Sequence, residues 1–338
     1  MFDQKLVCVI TTIQSPTACV RKLAKRMYAA DASLIVIGDK KGPVSFSLRY
    51  ADFYSWDDQL KLPYEITSLL PAGHYVRKNL GYLEAIRRRT SCIYETDDDN
   101  TPAPNWAFRQ QHTRAQRVEA RSWLNVFRLF SDHIIWPRGF PLELIRDPHT
   151  FEHKGLAELA DFNCPIQQGL VDLHPDVDAI GSIIMDKEFQ FQKNSSVWLP
   201  PGTWCPFNSQ STWWWPDAYP LMYLPSSCSF RMTDIWRSFI AQRCLWEFGC
   251  GMVFHAPEAI HERNNHDLLC DFKEEIPGYL NNQRIVDLLS SIPLRQGKTA
   301  IMENLLICYD RLVAAEIFDV RELDLVQMWC KDIARLMQ

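Results

Sequence analysis

The sequence predicts an α/β fold with a mostly parallel sheet, and three observations carry the expectation. Short apolar, β-rich runs occupy residues 5–13 (KLVCVITTI), Ser33–Ile37 (SLIVI) and residues 91–94 (SCIY). Stretches with helical spacing separate them, and every run ends in a polar loop, the pattern of βαβ units with right-handed crossovers. With 338 residues, 47% hydrophobic and 12% aromatic, the chain has material for a core well beyond a minimal module.

The first run ends at Thr11-Thr12, and Ser15-Pro16 opens a helical stretch that continues to Met27. The second run stops at 38–43 (GDKKGP), a cluster of turn residues. Residues 79–88 read as helix, and the third run leads into 95–100 (ETDDDN). Residues 136–223 are rich in Pro and Trp and read as strands and binding loops. Helical spacing returns at 233–248, with Thr233 as N-cap, Asp234 at the first position and Gly249 as the stop. Residues 277–338 read as a C-terminal helical appendage to a main domain covering 1–276. In parallel sheets ligands bind outside the carboxyl ends of the strands, which here carry Thr11, Thr12, Asp39 and Asp97-Asp98-Asp99.

Composition excludes several classes. With 36 basic against 41 acidic side chains the net charge is −5, which argues against nucleic acid or anionic lipid as the main partner. Eleven cysteines without close CxxC spacing suggest neither a disulfide framework nor a zinc cluster. The start MFDQK lacks a signal-peptide pattern, and no apolar run reaches the ~18 residues of a membrane-span candidate. The expectation is a soluble, cytoplasmic protein.

Familiar signatures fail. Gly249 and Gly251 form GxG, but Phe254 takes the place of the third glycine; Gly297-Lys298-Thr299 lacks the upstream P-loop glycine, where Ile292 stands. His149 and His153 have no HExxH glutamate between them. Arg87-Arg88-Arg89 reads as a solvated helix end.

Asp97-Asp98-Asp99 is the strongest signal. Crowded carboxylates repel one another unless a cation or strong donors neutralise them, so the triplet reads either as a solvated acidic turn or as the seat of a hard divalent ion. Its position beyond a buried strand favours the ion, which could bridge a diphosphate. Arg77-Lys78-Asn79 just upstream would add donors to the same phosphates. Trp213-Trp214-Trp215 reads as core or as a stacking platform for a sugar, with at least one ring expected at the surface. Asn208 and Gln210, in the turn PFNSQ, could read substrate hydroxyls.

The ordered blocks VIGDKKGP (36–43), LPAGHYVRKNLGYLEAI (70–86), IYETDDDN (93–100), WPRGFPLE (136–143), QQGLVDLHPDVDAI (167–180), LPPGTWCPFNSQST (199–212) and RMTDIWRSFIAQRCLWEFG (231–249) resemble the STELLO-type glycosyltransferases. The similarity spans about residues 5 to 275. A weaker similarity, at the acidic triplet, PDVDA and the Asp234-containing helix, is to the reversibly glycosylated polypeptides that act as UDP-arabinopyranose mutases. Both resemblances imply a GT-A architecture, a nucleotide-sugar-binding α/β fold with a metal held by a DxD-type motif.

The resemblance assigns Thr11, Asp39, Arg77 and Asn79 to the nucleotide and Asp97 with Asp99 to the metal, Mn²⁺ or Mg²⁺; Thr12, Lys78 and Asp98, beside them in sequence, are further candidates for the nucleotide sugar. His261 in APEAIHER stands where a histidine completes the metal shell, with His255 as its competitor. Asp234 falls where such enzymes keep an acceptor-facing carboxylate, and Glu247 or Asp178 is the next candidate. Plant members are membrane-anchored, whereas this chain begins almost at its first strand, so the expected enzyme is soluble and builds a polysaccharide or glycoconjugate. It would take a UDP- or GDP-linked donor and a saccharide or other hydroxyl acceptor. Two other readings stay open: a nucleotide-sugar mutase, with Arg138 or Arg146 holding the sugar, and a non-catalytic scaffold that associates with other glycosyltransferases.

Overall fold

A computed structural model describes residues 5–152, 157–185, 187–262 and 267–338. His153 and the first four residues of the MFDQK start lie outside the described residues. The chain begins with β1 (Val7–Thr11), α1 (Ala18–Ala29), β2 (Ser33–Ile37), β3 (Asp52–Tyr54), α2 (Trp56–Gln59), α3 (Lys78–Arg87) and β4 (Ile93–Thr96). There follow β5 (Asn100–Pro102), β6 (His112–Arg117), β7 (Leu159–Asn163), β8 (Ile166–Asp172), α4 (Ala179–Met185), β9 (Val197–Leu199) and β10 (Ser211–Trp214). The last elements are α5 (Thr233–Trp246), β11 (Met252–His261), α6 (Leu268–Ser291), α7 (Ile301–Ala314) and α8 (Arg321–Leu336).

The strands form one twisted surface in the order β3-β2-β1-β4-β10-β8-β11-β9-β6-β7, with β5 paired to β11. β1, β2, β3 and β4 are parallel; β10 enters antiparallel, and β8 and β11 restore the original direction. This mixed, mostly parallel α/β sheet flanked by helices is the GT-A-like arrangement the sequence led us to expect.

Local chemistry fixes the early units. The Thr17 side chain accepts from the Val20 N–H and caps α1, whose buried Val20, Leu23, Ala24 and Met27 recur on one face. On the other side, α3 lies directly on β1 and β2. A Cβ at Gly81 would stand 2.5 Å from Val9 Cγ1, so only glycine lets the helix approach this closely.

Three sequence expectations are corrected. Helix α5 starts at Thr233 without a side-chain cap, so Asp234 is its second residue. Trp213, Trp214 and Trp215 are all buried, because β10 sits mid-sheet with both faces covered. The boundary expected at residue 276 falls inside α6, and the helices beyond it are no appendage. Ile285, Leu289, Leu305, Leu312, Trp329 and Ile333 share a continuous core with β1 and α5. Polar ties reinforce the junction: Trp236 Nε1 donates to Asn282 Oδ1 at 2.9 Å and Trp329 Nε1 to the Pro220 carbonyl at 2.8 Å. Among the described residues no helix is long and apolar enough to cross a membrane.

Candidate functional site

Strand ends and two loops enclose a cavity of about 560 Å³. Its floor is made where β1 and β4 end, at Thr11 and Asp97-Asp98-Asp99, and where β11 ends, at His261. Strand pairing explains why these meet. The triplet forms the turn between β4 and β5, and β5 pairs antiparallel with β11 so that Asn100 stands opposite His261. Residues distant in sequence are thereby brought to one edge.

Each carboxylate of the triplet has a different partner. The buried Lys78 ammonium donates to Asp97 Oδ1 at 2.9 Å and to the Thr96 carbonyl at 2.7 Å. Enclosure raises the Asp97 pKa to about 6, with the Asp99 charge adding to the rise and Lys78 opposing it. Asp98 Oδ2 accepts from Thr12 Oγ1 at 2.5 Å, and burial raises its pKa too. Asp99 Oδ2 lies 3.0 Å from His261 Nε2. His261 Nδ1 faces the His174 carbonyl at 2.7 Å, and a carbonyl can only accept, so Nδ1 carries the hydrogen. Burial would lower the His261 pKa, but the Asp99 carboxylate outweighs it and the value is raised.

A second charged cluster forms the opposite wall. Arg138 Nε and Nη2 each donate at 2.8 Å to Asp176, while Nη1 and Nη2 reach Asp234 at 3.1 and 3.2 Å. Asp234 Oδ2 also accepts from the Ser209 N–H and hydroxyl, at 3.1 and 3.2 Å. Burial would raise the Asp234 pKa, but Arg138 and Arg237 hold it below the usual range. Asn208 Nδ2 donates to Asp176 at 2.8 Å, and the Gln210 side-chain amide lies 3.1 Å from His261 Nδ1, whose hydrogen is directed to the His174 carbonyl. One arginine thus joins the 136–140 loop, the 174–178 loop and the start of α5.

The structure brings Thr11, Asp97, Asp98, Asp99, Gln210, Asp234 and His261 onto the cavity lining, with Thr12, Lys78 and Asn208 bonded directly to lining residues. Other candidates lie elsewhere. Arg77 is buried, donating to Gln59 Oε1 at 2.6 Å and the Leu70 carbonyl at 3.1 Å and stacking on Trp56; it is absent from the lining. Asn79 exchanges two hydrogen bonds with the Leu224 backbone. The Asp39 carboxylate accepts from the Gly73 and His74 N–H groups at 2.9 and 3.0 Å, fastening the loop that leads to α3. Glu247 pairs with Arg243 just beyond the last turn of α5, roughly 20 Å along the helix from Asp234 at ~1.5 Å per residue. Trp213 donates its indole N–H to the buried Glu258 and stacks on Trp106. His255 is buried between Ser196 and Gln167, away from the triplet, so of the two histidines weighed it is His261 that stands beside Asp99. Asp178 is buried under the cavity wall and bonded to Trp136 Nε1 at 2.7 Å, and Arg146 is absent from the lining.

Asp176 and Tyr75 were missed by sequence reasoning. Asp176 lay within the quoted HPDVDA block, but nothing in its spacing distinguishes it from Asp178. Only the fold shows that Asp176 takes Arg138 while Asp178 turns to Trp136.

Among the described residues, no group of three or more His, Cys, Asp or Glu side chains is arranged to hold a metal ion by itself. Mg²⁺ and Mn²⁺ accept a looser arrangement of one or two carboxylates completed by water and substrate phosphates. Asp97 and Asp99 fit that open arrangement and do not form a closed cage.

Residues 231–337, from the start of α5 to the end of the chain, match the family described as STELLO glycosyltransferases. The protein named "Probable glycosyltransferase STELLO1" from Arabidopsis thaliana is 26% identical over 358 residues, covering 98% of this chain and 44% of its own length. "Probable glycosyltransferase STELLO2" from the same plant is 28% identical over 318 residues, covering 88% of this chain and 40% of its own. The chain therefore spans less than half the length of these relatives. The family match across α5 to α8, and alignments that run through most of the remaining elements, make this chain similar to the STELLO glycosyltransferases.

Proposed function

We propose that this chain transfers a sugar from a nucleotide diphosphate sugar to a hydroxyl acceptor, with Mn²⁺ or Mg²⁺ bound at Asp97 and Asp99 beside His261. The observation that supports this reading is the acidic turn after β4, which faces a cavity large enough for a nucleotide sugar at the carboxyl ends of parallel strands. The arginines on the lining are already paired, Arg138 with Asp176 and Asp234, and Arg231 with Glu275. Lys187 also lines the cavity, over the Phe189 ring, and an added cation beside the carboxylates would offset their charge as a diphosphate enters. When bound, the ion would supply positive charge to both phosphates and to the departing nucleotide.

The chain's own groups would do the rest. Lys78 holds Asp97 in place and offsets its charge. Asp234 and Arg138 would orient hydroxyls of the transferred sugar and the acceptor, and Asp234 is the carboxylate positioned to take the acceptor proton. Its four donors and low pKa mean that Arg138 or Ser209 would have to loosen as it does so.

A thermal-shift screen of UDP- and GDP-linked sugars with and without Mn²⁺ tests the reading. A ligand at 100 times its Kd should add about 2.7 kcal/mol, and Asp99→Asn should remove most of the metal-dependent part. No stabilisation by any nucleotide sugar with metal present would sink the proposal in favour of the scaffold. Interconversion of sugar ring forms without an acceptor would favour the mutase.

A further inference from the structure

Behind the cavity, buried charges of alternating sign connect its two walls. Lys78, which donates to Asp97 at 2.9 Å, has a second carboxylate 3.9 Å away, that of Glu95 on β4. Glu95 in turn accepts from Arg237 Nη1 on both oxygens, at 2.9 and 3.0 Å. Arg237 stands one turn along α5 from Asp234, whose charge it offsets. The order Asp97, Lys78, Glu95, Arg237, Asp234 is negative and positive by turns, and it runs from the proposed metal side to the proposed acceptor side. Neither Glu95 nor Arg237 reaches the cavity lining; their side chains are 0% and 1% exposed.

Buried polar groups in a purely structural role are paired. Glu95 meets that rule, accepting also from the Tyr82 hydroxyl and from Trp214 Nε1, the latter at 2.9 Å. Arg237 does not: its Nε and Nη2 are buried and have no acceptor among the described residues. Its guanidinium lies over the Trp214 ring, 5.0 Å from the centroid. Buried donors without acceptors cost stability, and an apolar side chain of similar length would avoid that cost. What an apolar residue could not supply is the charge, which in a low-dielectric interior acts over several ångströms.

We propose that Glu95 and Arg237 are positioning residues that set how strongly the site holds a cation: Glu95 keeps Lys78 from fully neutralising Asp97, and Arg237 balances Glu95 and Asp234. The assignment rests on the glycosyltransferase reading above and concerns the metal dependence of that same site. Without the Glu95 charge the series has one positive group in excess, which opposes a cation at Asp97 and favours a diphosphate without metal. Without the Arg237 charge it has one negative group in excess, and both effects reverse.

The test is calorimetry of UDP binding to the full chain with and without Mn²⁺, read as the factor by which Mn²⁺ tightens UDP. In Glu95→Gln that factor should fall about tenfold, and in Arg237→Gln it should rise about tenfold. The Glu95→Gln/Arg237→Gln double variant, in which the sum of charges is restored, should lie between the two. Damaged packing would lower the factor in both single variants, so opposite signs distinguish an electrostatic role from a structural one. Thermal melts establish that each variant is folded. Glu95→Gln leaves Arg237 without its carboxylate, and if that variant does not fold, the direction in Arg237→Gln decides. A factor that falls or stays level in Arg237→Gln, or that moves the same way in both single variants, would overturn the proposal while leaving the donor site intact. A wild-type factor of one would instead overturn the metal-dependent glycosyltransferase reading, and the proposal with it.

Discussion

Asp234 illustrates how a buried charge is kept. Four hydrogen bonds from Arg138 and Ser209 compensate its desolvation, and the same bonds make it a reluctant base. Asp234→Asn should leave UDP and Mn²⁺ affinity nearly intact while transfer to the acceptor falls by ~10²–10⁴. Calorimetry alongside a transfer assay separates the two, and transfer at wild-type rate would reduce Asp234 to a structural anchor. Asp178 behaves in the opposite way. Burial raises its pKa from 3.8 to about 6, against the opposing hydrogen bonds from the Gly181 N–H and Trp136. Between those two values the native state holds a proton that the unfolded chain has released. Stability should therefore fall as pH rises from about 4 to about 6, by roughly 1–3 kcal/mol from this group, and level off above. Urea titrations across that range should show the slope, and Asp178→Asn should reduce it by this group's share, leaving the part that the raised pKa of Asp97 contributes.

At the scale of elements, the bent strand β11 decides where His261 stands. Its pairing with β8 shifts register between His255 and Ala259, and there the Glu258 side chain crosses over β8 at Gly169. Glu258 cannot retreat, since Arg109, Ser211 and Trp213 all donate to it. A Cβ at position 169 would meet its carboxyl group at 2.4 Å. Gly169→Ala should cost about 1–3 kcal/mol in urea unfolding and, by pushing β11, should also weaken metal-dependent nucleotide binding. An alanine variant of wild-type stability and affinity would show that β11 has room the packing does not suggest.

For the whole molecule, the C-terminal helices are structural members of the site-bearing domain. Asp332 on α8 accepts from the backbone N–H groups of Glu65 and Ile66, and Glu322 accepts from those of Ser226 and Ser227. Removing these helices would bare the side of α5 and leave buried loops without partners. Truncation after residue 276 should yield a chain that fails to fold cooperatively. The full chain should unfold in a single transition, with tryptophan fluorescence and far-ultraviolet circular dichroism coinciding. Two separated transitions would restore the independent appendage.

Sequence alone determined the local elements and one edge of the site. Val, Ile and Leu runs ending in polar loops became β1, β2 and β4, because short-range alternation and turn chemistry act within a few residues. The acidic triplet was legible for the same reason, as a charge cluster adjoining a buried strand. Even the nearby Lys78 could be read as positive charge beside it, though not as the partner of Asp97. Beyond that range the sequence was silent. Arg77 and Lys78 are neighbours, yet one turns into the core to Gln59 and the other reaches the triplet. Which cation serves the cavity depends on helix rotation and on what covers each face. The Arg138 cluster joins segments nearly a hundred residues apart, and the β5–β11 pairing that seats His261 beside Asp99 spans more than 150. Such contacts leave no periodic trace, because each side chain's partner is set by strand order and packing, which only the tertiary structure supplies.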